Sequence, residues 1–543
     1  MGGPPASMGE HAGAAGGRKS GRRGDTPRPA VLAVRGGPAQ TDRMDRRRFI
    51  GLAAGTVAGL GDLGFLSRLP FVPAREARLD RGMVRLDPGI EPVVRLLEET
   101  PQERVLEEVA AQIERGLGYR EVVAALLLAG VRNIQPRPVG FKFHAVLVVN
   151  SAHLASLASP AGDRWLPIFW AIDAFKRSQL ADVRSGDWSL GPVEESAVPP
   201  GHRARAAFER AMDAWDEAAA DAAMAGLART APPQAIFEVL ARYGARDFRE
   251  IGHKAIYVAN SFRTLDAIGW QHAEPVLRSL AYALLDRDGA RGNPATADFP
   301  ADRPYRRHLA AVDRIRDGWL DGRPSAEASL DLLHALRQAT PQAAGELVIA
   351  QLNRGVGPQS IFDALFEGSA ELMMRAPGIL SLHASTFTNA VRYAWGRCRD
   401  DRTRRLLLLQ NAAFLPLFRG GRTEGLEIDR LEPAPLEGTG PAAIEEIFGE
   451  VSRDPLTASR KMLAFLGRHP DPAPLADAAR RLIFLKGTDS HDYKYSSAVL
   501  EDYGRMTAAG RDRFLAAAAF YLKGTGDADS PLVGRTRAAL GGR

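Results

Sequence analysis

The 543-residue chain contains one cysteine, Cys398. A single thiol cannot form an intrachain disulfide. It also excludes a cysteine-rich zinc site, an iron–sulfur cluster held by this chain alone and a CxxCH haem attachment. Strand signals are scarce as well. The β-branched run at Val146 to Val149 lies inside a longer apolar stretch that reads as a buried helix. No G-x-G-x-x-G follows a strand, and there is neither a P-loop nor a G-x-S-x-G elbow. Nucleotide-dependent enzymes and α/β-hydrolases are thereby set aside. Charge is near balance once the N-terminus is removed. Much of the net +6 comes from Arg18, Lys19, Arg22, Arg23, Arg28, Arg35, Arg43 and Arg46 to Arg48. No nucleic-acid partner is expected from the remainder.

What is present begins with an address. Residues 1–43 are rich in Gly, Ala, Pro and Arg and lack apolar periodicity. They are expected to be disordered, or to be a non-native extension preceding a true start at Met44. Asp45-Arg46-Arg47-Arg48-Phe49-Ile50-Gly51 then places two arginines, any residue, Phe and an aliphatic in order. A Gly/Ala-rich apolar run follows from Phe49 to Leu66, interrupted by Asp62. It is too short and too weakly apolar for a comfortable transmembrane helix and suits a signal h-region. Val72-Pro73-Ala74 supplies small residues for cleavage after Ala74. Residues 44–74 resemble a twin-arginine signal peptide of exported bacterial proteins. That resemblance implies passage through the twin-arginine translocase to a periplasmic or secreted location, with no transmembrane anchor after cleavage. It also implies export of a folded chain, in many such proteins one holding a cofactor inserted before export.

From about Glu91 the apolar residues recur at helical spacing, as in Val105-x-x-x-Val109-x-x-x-Ile113. Thr100-Pro101 and Thr340-Pro341 each read as an N-cap followed by proline at the first helical position. The expected fold is all-α. It is also internally repeated. Ala111-Gln112-Ile113-Glu114-Arg115-Gly116-Leu117-Gly118 matches Ala350-Gln351-Leu352-Asn353-Arg354-Gly355-Val356-Gly357 at an offset of 239 residues. The same offset pairs Pro138 with Pro377, His144 with His383, Asn150 with Asn389 and Ala174-Phe175 with Ala413-Phe414. Two tandem pseudo-symmetric helical repeats of roughly 240 residues are expected, over 91–300 and 320–543. That period is far longer than a solenoid repeat.

Candidate chemistry follows from the repeat. His253 and His491 form a second pair, 238 residues apart. Duplicated units tend to pack about a pseudo-two-fold axis, so residues present in both copies can meet. His144, His253, His383 and His491 are therefore the candidate ligands or acid–base groups. Four imidazoles suit iron, copper, zinc or nickel rather than calcium or magnesium, and pairs of them can ligate a haem. Asp492, Glu274 and Asp173 are candidate supporting carboxylates. Lys254, Lys494, Tyr257, Tyr493 and Tyr495 lie close in sequence and read either as a small-molecule pocket or as surface charge with aromatic core. Asn150 and Asn389 read as buried polar contacts between helices. His202, His308, His334 and His469 read as solvated. Two functions stand side by side: an exported helical oxidoreductase with its site between the repeats, or a non-catalytic envelope scaffold whose histidines are structural. Convergence of the four rings on one centre separates them.

Overall fold

The computed structural model describes residues 87–541 apart from 160, 286–292, 294, 295 and 470. The expected N-terminal extension, signal peptide and cleavage site lie outside the described residues. The described residues group in one compact unit. They are all-α: twenty-two α-helices, with an isolated Arg323–Val356 bridge and no strand among them. No described helix is long and apolar enough to cross a membrane.

The first eleven helices are α1 (Glu91–Glu99), α2 (Val105–Glu114), α3 (Tyr119–Asn133), α4 (His144–Ala158), α5 (Leu166–Arg184), α6 (Gly201–Ala214), α7 (Glu217–Thr230), α8 (Pro233–Gly244), α9 (His253–Ile268), α10 (Ala273–Leu284) and α11 (Arg303–Ala311). The second eleven are α12 (Ala326–Leu336), α13 (Pro341–Asn353), α14 (Pro358–Arg375), α15 (Ile379–Arg397), α16 (Asp401–Arg419), α17 (Pro441–Val451), α18 (Pro455–Arg468), α19 (Ala473–Lys486), α20 (Ser490–Tyr503), α21 (Arg511–Ala517) and α22 (Pro531–Gly541). The two series run in step. α3 and α14 start 239 residues apart, α7 and α18 238, and α10 and α21 238.

Local chemistry sets the helix starts. Thr340 accepts the amide of Ala343 through its hydroxyl, as an N-cap before Pro341 should. Thr100 does not act this way. It is the C-cap of α1, and α2 begins four residues after Pro101, behind a turn whose carbonyl takes the amides of Arg104 and Val105.

Four helices form the centre of the unit: α4, α9, α15 and α20. Each packs against two of the others, in the cyclic order α4, α9, α15, α20. α4 is apolar or small on nearly every face, with Ala145 to Ala152 buried throughout, and α9, α15 and α20 bury most of their residues, polar ones included. A helix with no polar face is stable only when surrounded, so the remaining helices enclose these four. The run at Val146 to Val149 is accordingly helical, as its setting in a long apolar stretch implies.

Candidate metal centre

Each central helix brings one histidine to the same end of the ring. His144 opens α4 and His253 opens α9; His491 is the second residue of α20 and His383 the fifth of α15. The helices therefore run parallel away from the histidines. One ring nitrogen from each of the four lies within 4.8 Å of every other. Around the ring the imidazole centroids are 4.8 Å apart for His144–His253, 4.3 Å for His253–His383, 5.4 Å for His383–His491 and 4.3 Å for His144–His491. His253, His383 and His491 are buried, and His144 keeps partial contact with solvent.

Every Nδ1 is held from behind. His144 Nδ1 lies 2.7 Å from the Phe141 carbonyl, His253 Nδ1 2.7 Å from that of Glu250, and His383 Nδ1 2.6 Å from that of Ile379. A carbonyl can only accept, so each Nδ1 carries the proton and the Nε2 lone pair is bare. The consequence faces the centre. His144 Nε2 is 2.9 Å from His253 Nε2, which is 2.8 Å from His383 Nε2. The buried Nε2 of His491 has no partner. Lone pairs at that separation repel unless a cation lies between them. A proton is disfavoured there. Burial, and then the charge of Lys494, hold His144 and His253 well below the ordinary histidine value, and burial followed by Lys494 does the same for His383. Four helix N-termini, each carrying a partial positive charge, act in the same direction.

His491 is oriented by Asp489, the N-cap of α20, whose Oδ1 is 2.7 Å from Nδ1 and also accepts the His491 amide. The hydrogen bond from His491 is the main reason this carboxyl is held well below its usual range. Asp492, the expected supporting carboxylate, does not meet a histidine of the cluster. Asp492 accepts the amides of Thr488 and Asp489 and pairs with Lys523, closing a capping box. The other two carboxylates are also engaged elsewhere. Asp173 pairs with Arg535 and Arg177, and Glu274 with Arg229.

The approach to the histidines is strained. Phe141 and Ile251 have φ of 46° and 44°, left-handed values that side chains rarely adopt, and each lies just before a histidine-bearing helix. Gly140, with φ of 135°, covers the rings so closely that a Cβ there would stand 3.2 Å from His253 Cε1 and 3.6 Å from His144 Cε1.

The neighbouring lysines part company. Lys254 is buried, not surface-exposed, and bonds both oxygens of Asp247 at 3.0 and 2.9 Å. Lys494 is fully buried and its ammonium has no acceptor. The tyrosines belong to the core. Tyr257 packs on Phe143 and bonds Ser279, Tyr493 packs on Trp170, and Tyr495 packs on Tyr521. Asn150 and Asn389 bridge helices: Asn150 Nδ2 reaches Asn260 Oδ1 at 3.4 Å, and Asn389 meets Arg263, Glu501 and Asp502.

Of the remaining histidines, His202 and His469 are exposed and His334 pairs with Asp429 at the surface. His308 departs from its solvated reading: it is buried and bonds Gln410 at 2.7 Å. The arginines around it in sequence point outward and disguise one inward face of a short helix. A haem does not fit among the four rings, because the macrocycle between any two would need the space the other two fill.

No protein-family model matches the chain, and neither a curated protein nor a solved structure is detectably similar to it.

Proposed function

We propose that His144, His253, His383 and His491 bind one transition-metal ion through Nε2. The observation that carries this is the meeting of four lone pairs whose opposite nitrogens are all committed to acceptors. Ligands on a common ion at about 2.0–2.1 Å stand at most about 4.2 Å apart. The largest separation here, 4.8 Å, is close to that span. Neutral imidazole donors suit copper, iron, zinc or nickel. The backbone carbonyls and Asp489 serve as the outer partners that fix a metal-bound histidine's tautomer. Iron or copper would make the centre a redox site, and an oxidoreductase is the activity we infer for it.

Two further readings accompany the metal. The halves are duplicates, supported by the shared residue offset and the matched helix series. The chain is exported through the twin-arginine translocase, supported by Arg46-Arg47-x-Phe49-Ile50. Replacing Arg46 and Arg47 with lysine is expected to retain the protein in the cytoplasmic fraction.

Elemental analysis of the full chain, purified from its producing cells, tests the metal directly. One transition-metal ion per chain is expected, lost when any two of the four histidines become alanine. A chain that takes up no metal under saturating iron, copper, zinc or nickel overturns the reading in favour of structural histidines in a scaffold.

A further inference from the structure

A small polar cavity lies among the four central helices, lined by residues that follow the histidines on each of them. Lys494, Thr386 and Ile256 line it. Each stands three residues beyond its own histidine, most of a helical turn or about 4.5 Å along the axis. Asn150, Asn260 and Ser497 line it further down. The free space is about that of one water molecule.

Two of the lining groups point to an absent partner. The Lys494 ammonium is wholly buried without an acceptor, and Asn150 Oδ1 is buried without a donor. Three other buried cations have carboxylate partners: Lys254 has Asp247, Arg263 has Glu501 and Arg278 has Asp221. An unmatched buried ammonium is costly, and proteins seldom keep one without a counter-charge.

A divalent ion on four neutral imidazoles adds two positive charges to that of Lys494, at the positive ends of four helices. Asp489, whose charge offsets Lys494, is committed to His491. An anion is needed, and the space admits only a very small one.

Resting on the metal reading, we infer that this cavity binds a small inorganic monoanion, the size of fluoride or hydroxide, between the metal ion and the Lys494 ammonium. The Asn150 Oδ1 acceptor is met only by an occupant that carries a proton, as hydroxide does and fluoride does not, and the Thr386 hydroxyl already donates to the Leu382 carbonyl. The centre is then an open one, with a ligand position served from the helix side, and organic substrates do not enter it. Lys494 is a positioning residue that holds the anion against the metal.

Fluoride is the probe. The metal-loaded full chain is titrated with fluoride by calorimetry and fluorine NMR, alongside the Lys494→Met and Lys494→Gln variants. One saturable fluoride per metal is expected in the wild type. At least tenfold weaker binding is expected in both variants, with metal content and helicity unchanged. Absence of fluoride binding to the metal-loaded wild type overturns the inference whether or not the variants fold. So does fluoride affinity in a folded variant within twofold of wild type. Metal content is measured separately on each sample. A chain with no metal removes both readings, whereas a loaded chain indifferent to fluoride removes only this one.

Discussion

Asp489 Oδ1 lies 2.7 Å from His491 Nδ1, and no other histidine of the cluster is held by a charged group. A carboxylate behind an imidazole makes it a stronger donor to a cation in front. Asn is nearly as good an N-cap as Asp, so Asp489→Asn spares the helix start. Metal affinity is expected to fall by about 10–100-fold in that variant, the usual effect of removing such a partner. Competition with a chelator of known strength measures it. An unchanged affinity would mean that His491 is not a ligand.

Acid should weaken the metal-free fold through three rings. His144, His253 and His383 are held well below the ordinary histidine value, chiefly by burial. Above about pH 6.5 these rings bind no proton in either state and contribute nothing to pH dependence. Below it the unfolded chain takes up protons that the folded chain refuses, so stability falls as pH falls. The slope reaches about 1.4 kcal/mol per pH unit for each ring, about 4 for the three. Urea unfolding of the metal-free chain at a series of pH values reads it. Replacing the three with Gln should flatten the curve between about pH 6.5 and 4.5.

Removing the unmatched ammonium should stabilise the metal-free protein. Burial pushes Lys494 down to about 7. The unfolded chain holds that proton up to about pH 10.4, so native stability rises between the two values and the full penalty applies below the lower one. Lys494→Met is expected to raise stability by roughly 2–4 kcal/mol at neutral pH, with a smaller gain near pH 10. Loss of stability at neutral pH would show that an anion already accompanies the lysine in the metal-free chain.

Gly252 is the N-cap of α9. Its φ is 86°, and a Cβ there would stand 2.6 Å from Cδ2 of Phe387, whose ring stacks on Phe414. Gly252→Ala is expected to cost about 2–4 kcal/mol, from left-handed strain and overpacking together. Because His253 follows directly, metal affinity should fall with it. A melting curve indistinguishable from wild type would place the backbone elsewhere.

The four-histidine cluster was legible because similar residues recur at one offset along the sequence. His144 and His383 stand out only through their shared offset, since the chain lacks any local His-x-His or H-E-x-x-H spacing. The all-helical pattern was equally plain from apolar periodicity. Three features were not legible. Asp489 is hard to tell from its neighbour Asp492 in sequence, because both belong to the D-x-x-D capping box and only the fold shows which of them meets His491. Lys254 and Lys494 look alike in sequence, yet one meets Asp247, seven residues before it, and the other has no acceptor at all. His308 was masked by the arginines beside it. Amphipathic pattern locates a face; it does not say which other helix that face will meet.

The four donors are spread along the polypeptide at 144, 253, 383 and 491, each separated from the next by more than a hundred residues. An ion seated among them would staple three long loops at once, and much of its binding energy would become resistance to unfolding. It also sets a clock on biosynthesis. A nascent chain that stops short of His491 has an incomplete donor set, so loading would await its synthesis and the docking of that distant segment. Starving cells of the ion should therefore leave a full-length but protease-sensitive product, rather than a shortage of message or of translation.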